Sequence, residues 1–186
     1  MSLVGIVAAI SRPTQESMKR SIHSGPIQFI VRCDILATMK ILVLHGPNLN
    51  LFGRREPGIY GTTTFEQIND AIRLLAEQLG IDVEIYQSNH EGALIDKLQS
   101  RMDDADGCIV NPGAFTHYSI ALHDCLKAMP FPIVEVHLSN LAKREEWRHR
   151  SVISPAVQGA IMGLGWQGYL LALRWHANNQ EAQKNT

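Results

Sequence analysis

From Met39 onward the chain alternates short apolar runs with amphipathic ones. Lys40–Leu44, Ile81–Tyr86, Gly107–Asn111, Ile133–His137 and Gly159–Met162 are apolar at nearly every position and mostly rich in Val and Ile. Strands apolar on both sides are strands covered on both sides, as in a parallel sheet. Between them the period becomes helical. Thr64–Leu79 opens with the capping box Thr64-Phe65-Glu66-Gln67 and stops at Gly80. Ile68, Ile72, Leu75 and Leu79 recur at spacings of four, three and four, on one face. Ala93–Met102 repeats the period with Leu94, Ile95, Leu98 and Met102. Ser119–Met129 is closed by Pro130, and Gly168–Ala177 carries Leu170, Leu171, Leu173 and Trp175. The alternation predicts an α/β fold: a doubly wound open sheet of five parallel strands with helices on both faces.

That fold class names a place for chemistry. Ligands bind outside the carboxyl ends of the strands, where the strand order reverses. After the first strand come His45-Gly46-Pro47-Asn48 and then a loop, Leu49 to Gly61, with Arg54, Arg55 and Tyr60. After the third come Asn111-Pro112-Gly113, Thr116 and His117; after the fourth, Leu138, Ser139 and Asn140. These loops should face one crevice. They supply amides, histidines, arginines and a tyrosine, a set able to hold a small oxygen-rich molecule.

The totals narrow the field. The 186 residues suffice for one domain with a core, and a 45% apolar fraction is ordinary. A formal charge of -1 offers no bulk attraction to nucleic acid or anionic membrane, so any anion site must be built locally. No apolar stretch approaches the ~20 residues needed to span a bilayer. Cys33, Cys108 and Cys125 form no CxxC pair, and reduced thiols in a cytoplasmic protein are the simplest reading. Eight histidines raise the question of metal, but there is no H-E-x-x-H and no Cys/His cluster, so none is expected. "GLGWQG", Gly163 to Gly168, fits a dinucleotide pattern, but no further strand with an acidic residue follows it. Its glycines are better read as packing a turn and helix closely on the sheet.

Residues 1–38 read differently. Leu3 to Ile10 is apolar, with no basic residue ahead of it as a secretory signal requires. The remaining readings are a transit peptide, a poorly ordered extension, or a start upstream of Met39. The domain expectation is an extension at 1–38, a catalytic domain at 39–178 and a tail at 179–186.

Three groups carry candidate chemistry. A free tyrosine has pKa ~10 and needs a shift of up to ~3 units to act as a base. One cation about 4 Å away at an effective dielectric of 20 supplies ~4 kcal/mol, the right order. Arg55 lies five residues before Tyr60 across Pro57-Gly58, close enough for the loop to fold it back. The alternative is a tyrosine ring packed under its own loop. In "PIVEVHLSN", Glu135 and His137 are two apart on a strand and share a face. A carboxylate there takes one imidazole N–H and leaves the other nitrogen to deliver a proton. Asn111, His117 and Asp124 form the third group. If the helix after Pro112-Gly113 starts near His117, Asp124 lies two turns on and shares its face; otherwise it is a solvated position. Finally, "NLAKREEWRHRS" reads as a solvated helical run in which one arginine could turn inward to an anion.

Five blocks, "HGPNLNLFGRREPGIYG", "NPGAFTHYSIALHD", "EVHLSN", "REEWRHRSVISP" and "GLGWQGYLLAL", resemble type II 3-dehydroquinate dehydratases of the shikimate pathway. The resemblance spans Met39 to Ala177. Phe115 and Tyr118 depart from the commonest family residues, at positions that carry no chemistry. The resemblance implies a flavodoxin-like fold and anti elimination of water from 3-dehydroquinate to 3-dehydroshikimate through an enolate, in aromatic amino acid (chorismate) biosynthesis. It implies no cofactor, no metal and no covalent imine. It makes Tyr60 the base, Arg55 its activating cation, Asn48 a neighbour of the enolate, and His137 the acid braced by Glu135. Asn111, His117 and Asp124 would bind substrate hydroxyls, Leu138 and Ser139 the carboxylate, and Arg148 would reach in from the later stretch. The Arg/Tyr loop would act as a lid, and the assembly would be a homododecamer built from trimers. Two rival readings fail on the same loops. A phosphoryl-accepting receiver needs acidic residues where His45 and Asn111 stand, and a flavin binder needs a phosphate loop after the first strand.

Overall fold

The structure is a computed structural model, and it describes residues 38–54 and 62–184. Five parallel strands form one sheet: β1 (Met39–His45), β2 (Ile81–Gln87), β3 (Gly107–Asn111), β4 (Ile133–His137) and β5 (Gly159–Met162). Their order across the sheet is β2-β1-β3-β4-β5. The direction of winding therefore reverses between β1 and β3, which is where the crevice opens.

Side-chain alternation along β1 feeds two cores. Ile41 and Val43 point to one face, under helices α1 (Phe65–Leu79) and α4 (Gln167–Lys184). Leu42 and Leu44 point to the other, under α2 (Glu91–Gln99) and α3 (Ile120–Ala128). On α1, Ile68, Ile72 and Leu75 are buried in the first core. Leu94 and Leu98 of α2 and Leu122 and Leu126 of α3 fill the second. Cys108 and Cys125 are free thiols within that second core.

Helix ends follow local chemistry. Thr64 Oγ1 accepts from the Gln67 N–H while Gln67 returns a bond to the Thr64 N–H, a complete capping box. Ser119, not Thr116, caps α3, accepting from the Leu122 N–H at 3.0 Å. α2 begins at Glu91, ahead of Ala93, and stops at Gln99, ahead of Met102. Its last turn tightens instead, with the Arg101 and Met102 N–H groups bonded three residues back. α4 runs past Ala177 to Lys184. That extension is polar, so it carries no apolar period, yet Gln, Glu, Ala and Lys are good helix formers. The charged run after β4 is no α-helix. It breaks into two short 3-10 turns, Leu141–Lys143 and Glu146–Arg148.

Candidate active site

Three strand ends meet at the carboxyl edge of the sheet. His45 of β1 and Asn111 of β3 are register partners, and β4 ends alongside at His137. The Gly46 N–H donates to the Asn111 carbonyl at 2.8 Å. A methyl group on Gly46 would stand 2.3 Å from the Pro112 carbonyl oxygen, so only glycine lets these two loops close on each other. The contact sets Asn48 beside Asn111. Asn48 has φ 65° and is the one non-glycine residue with positive φ among the described residues. Asparagine tolerates that conformation better than most, and the Asn48 N–H is held by Asn89 Oδ1 at 2.9 Å.

Beyond β3, the Gly113 N–H donates to Asn111 Oδ1 at 3.2 Å, and a 3-10 turn, Gly113–His117, brings His117 forward. His117 Nδ1 lies 2.9 Å from the Arg150 carbonyl. A carbonyl only accepts, so Nδ1 carries the proton and Nε2 is left as an acceptor. Partial burial lowers the His117 pKa, with the Arg150 carbonyl opposing, which keeps the ring neutral near pH 7. Trp147 stands edge-on to it at 5.7 Å.

At the end of β4, His137 Nε2 meets Glu135 Oε1 at 2.8 Å. Glu135 is fully buried. A buried carboxylate is costly unless its lone pairs are satisfied. Here Ser151 Oγ donates at 3.4 Å and Ser154 Oγ makes a short contact to the second oxygen. No spacing pointed to either serine; the one signal was the carboxylate's need for more donors than one imidazole provides. With Nε2 on Glu135, His137 has Nδ1 left for the crevice.

Asn48, Asn111, His117, His137, Leu138, Ser139 and Arg148 all line one cleft of about 170 Å³. Two arginines turn inward there, not one. The Arg148 guanidinium sits 4.0 Å from the centre of the Trp147 ring and bonds Glu145 at 3.0 Å. Arg144 also lines the cleft and reaches Ser139 Oγ at 3.3 Å. Its spacing four before Arg148 was visible, but a helical reading would have sent both to solvent. Asp124 is not brought into this cleft. α3 starts at Ile120, so no helical face joins His117 to Asp124, and Asp124 is exposed. His45 also stays out of the cleft, fully buried beneath it. Arg55 and Tyr60 lie outside the described residues. Among the described residues no group of three His, Cys, Asp or Glu side chains is placed to hold a metal ion.

The family described as class II dehydroquinase matches residues 39–177. The chain belongs to that family. Among curated relatives, the 3-dehydroquinate dehydratase of Roseiflexus castenholzii is 58% identical over 137 residues, covering 74% of this chain and 87% of the relative. That of Herpetosiphon aurantiacus is 51% identical, covering 77% of this chain and all of the relative. Among solved structures, the type II dehydroquinase of Butyrivibrio crossotus aligns with a TM-score of 0.74 at 47% identity, covering 75% of this chain and 97% of that one. The type II dehydroquinase of Propionibacterium acnes gives 0.73 at 46%, covering 76% and 99%. As a class II dehydroquinase the chain is an enzyme of the hydro-lyase class with the flavodoxin-like strand order. The glycines of "GLGWQG" take their place in this fold. Gly163, at φ 84°, packs against Asn140, and its N–H donates to the His137 carbonyl.

Proposed function

We propose that this chain removes water from 3-dehydroquinate to give 3-dehydroshikimate, with Tyr60 as base and His137 as acid. The observation that carries the reading is the buried Glu135–His137 pair opening on a cleft lined by Asn48, Asn111, His117 and two arginines. Tyr60 as phenolate takes a proton from C2. The C–H electron pair moves toward the C3 ketone and forms an enolate. The enolate collapses to the conjugated enone and expels the C1 hydroxyl, which leaves as water on taking the proton from His137 Nδ1. The buried Glu135 carboxylate, 2.8 Å from Nε2, orients the ring and leaves Nδ1 for the leaving hydroxyl.

Each remaining residue has a role set by its chemistry. Asn48 lies beside the developing enolate, where a fixed amide stabilises charge that appears only in the transition state. Asn111 and His117 hold ring hydroxyls. Ser139 and the Leu138 backbone take the carboxylate, with Arg148 and Arg144 supplying positive charge. Arg55 lowers the Tyr60 pKa from a lid loop. The anchors of that loop support this role. Gly53 packs against the Thr62 carbonyl and Thr64, and the neighbouring Phe52 lines the cleft, so the described residues on either side of that segment meet beside the cleft. Asp124 is exposed on this chain, so its carboxylate reaches a substrate only from a second copy. That agrees with an assembly built from trimers.

Purified protein mixed with 3-dehydroquinate should generate the ultraviolet absorbance of the conjugated enone. Tyr60→Phe should abolish turnover with the fold intact, and borohydride with substrate should leave the enzyme active. Turnover retained in Tyr60→Phe would reject the base assignment.

A further inference from the structure

Behind the wall of the cleft, the Asn111 side chain is tied to a line of buried polar groups that the reaction itself does not use. The Tyr169 hydroxyl, from the first turn of α4, lies 2.9 Å from Asn111 Nδ2 and 2.9 Å from His45 Nδ1. Asn111 is 3% exposed, and His45 and Tyr169 are fully buried. The His45 ring is held edge-on by Phe65 at 5.0 Å, so it cannot turn without disturbing α1. Asn69 on α1 lies beside the ring. His45 Nε2 and Asn69 Oδ1 have no hydrogen-bond partner among the described residues.

The first two links have a forced direction, and the third follows from the phenol proton's need for an acceptor. The Gly113 backbone N–H can only donate, so the atom facing it is Asn111 Oδ1, and Nδ2 faces Tyr169. Nδ2 can only donate, so the phenol oxygen accepts from Asn111. Its single proton then goes to His45 Nδ1. An accepting Nδ1 puts the ring proton on Nε2. Reversing the Asn111 amide would place two donors, Gly113 N–H and Nδ2, against each other. Titration does not reverse a link either. Burial pushes His45 down to about 3 and pushes the Tyr169 phenol up, so both stay neutral through the working range.

We propose that Tyr169 and His45 are positioning residues of the dehydratase site: their directed hydrogen bonds fix the Asn111 amide so that the cleft meets its N–H and not its carbonyl oxygen. Nδ2 has two hydrogens. One is spent on Tyr169, and the second remains for a substrate oxygen. Tyr169 acts only through Asn111, since it touches nothing in the cleft. The inference rests on the dehydratase reading for its kinetic arm but not for its spectroscopic one.

Nitrogen-15 NMR of histidine-labelled protein tests the direction of the line without substrate. His45 should be the neutral Nε2–H tautomer; an Nδ1–H or doubly protonated ring would overturn the proposal. In the kinetic arm, Tyr169→Phe should raise KM for 3-dehydroquinate roughly tenfold and change kcat far less, the size expected for unpinning one buried hydrogen-bonding group. The same substitution in an Asn111→Ala background should add nothing to KM. Additive effects, or an unchanged KM in the single variant, would overturn it. If Tyr169→Phe does not fold, His45 decides. His45→Asn, whose Oδ1 can stand in for Nδ1 as acceptor, should keep KM near that of the parent, while His45→Leu should raise it; equal KM values would overturn the proposal. Should the parent protein fail to dehydrate 3-dehydroquinate, the functional reading falls, and the tautomer measurement still judges the hydrogen-bond line.

Discussion

Glu135 and His137 stand two residues apart on one strand and meet through a 2.8 Å hydrogen bond in the wall of the cleft. The strand's two-residue period makes this pairing automatic once β4 forms. Glu135 is then committed, because a fully buried carboxylate with its donors removed would be destabilising by several kcal/mol. His137→Gln should lower kcat about 10²–10⁴-fold, the usual contribution of a positioned acid. Glu135→Gln keeps shape and removes charge, so it should lower kcat too, but less than His137→Gln. Steady-state assays of the two variants check the order, and an unchanged kcat in Glu135→Gln would separate Glu135 from the acid.

Asn48 combines a left-handed backbone with an amide at the cleft, and two substitutions divide those roles. Asn48→Gly should keep the thermal midpoint close to the parent value and lower kcat about 10²-fold or more, as for loss of a donor at developing charge. Asn48→Ala should lose activity equally and also lose ~1 kcal/mol of stability, because Cβ is unfavourable at φ 65°. Differential scanning fluorimetry with initial-rate assays checks both.

Acid should destabilise this protein through two buried histidines that do not line the cleft. Burial depresses His45 to about 3 and His176 to about 4. Above the unfolded value of about 6.5 both states are neutral and stability is full. Below it the unfolded chain takes up protons that the folded chain refuses, so stability falls with pH until each folded pKa is passed. The slope is about 1.4 kcal/mol per pH unit for each histidine. Between pH 6.5 and 4.5 the two together cost about 5 kcal/mol, comparable to the whole stability of a small domain. The thermal midpoint should drop steeply over that interval, and His176→Gln should roughly halve the slope.

Asp124 offers a test of assembly. His137→Gln and Asp124→Asn should each be weakly active alone. When the two proteins are mixed and reassembled, some sites pair an intact His137 with an intact Asp124 from another copy, and activity should return. No recovery on mixing would mean that Asp124 serves no neighbouring site.

The strands were legible because each is a local run of apolar residues, and α1 because its cap and its stripe lie within sixteen consecutive positions. Glu135 and His137 were legible for the same reason: one strand carries both. Ser154 could not be paired with Glu135 from its position 19 residues on, nor Tyr169 with Asn111 across 58. Those contacts exist only after β4, β5 and α4 have packed. Asp124 shows the limit of spacing. Seven residues suggest a shared face only if the intervening chain is helical, and a 3-10 turn ending at His117 breaks that premise. Arg144 was hidden by a similar assumption, since charge every fourth residue looks like a helix surface until the backbone folds into separate turns.

The close approach of Gly46 to the Pro112 carbonyl has a mechanical meaning for inhibitor design. It holds the exits of β1 and β3 against each other as one jaw, so Asn48 and Asn111 should keep their spacing when a ligand binds. Adaptation to a larger ligand must come from the opposite rim. Compounds that grip the two amides should gain affinity with little induced rearrangement, while bulk directed at that wall should be rejected outright.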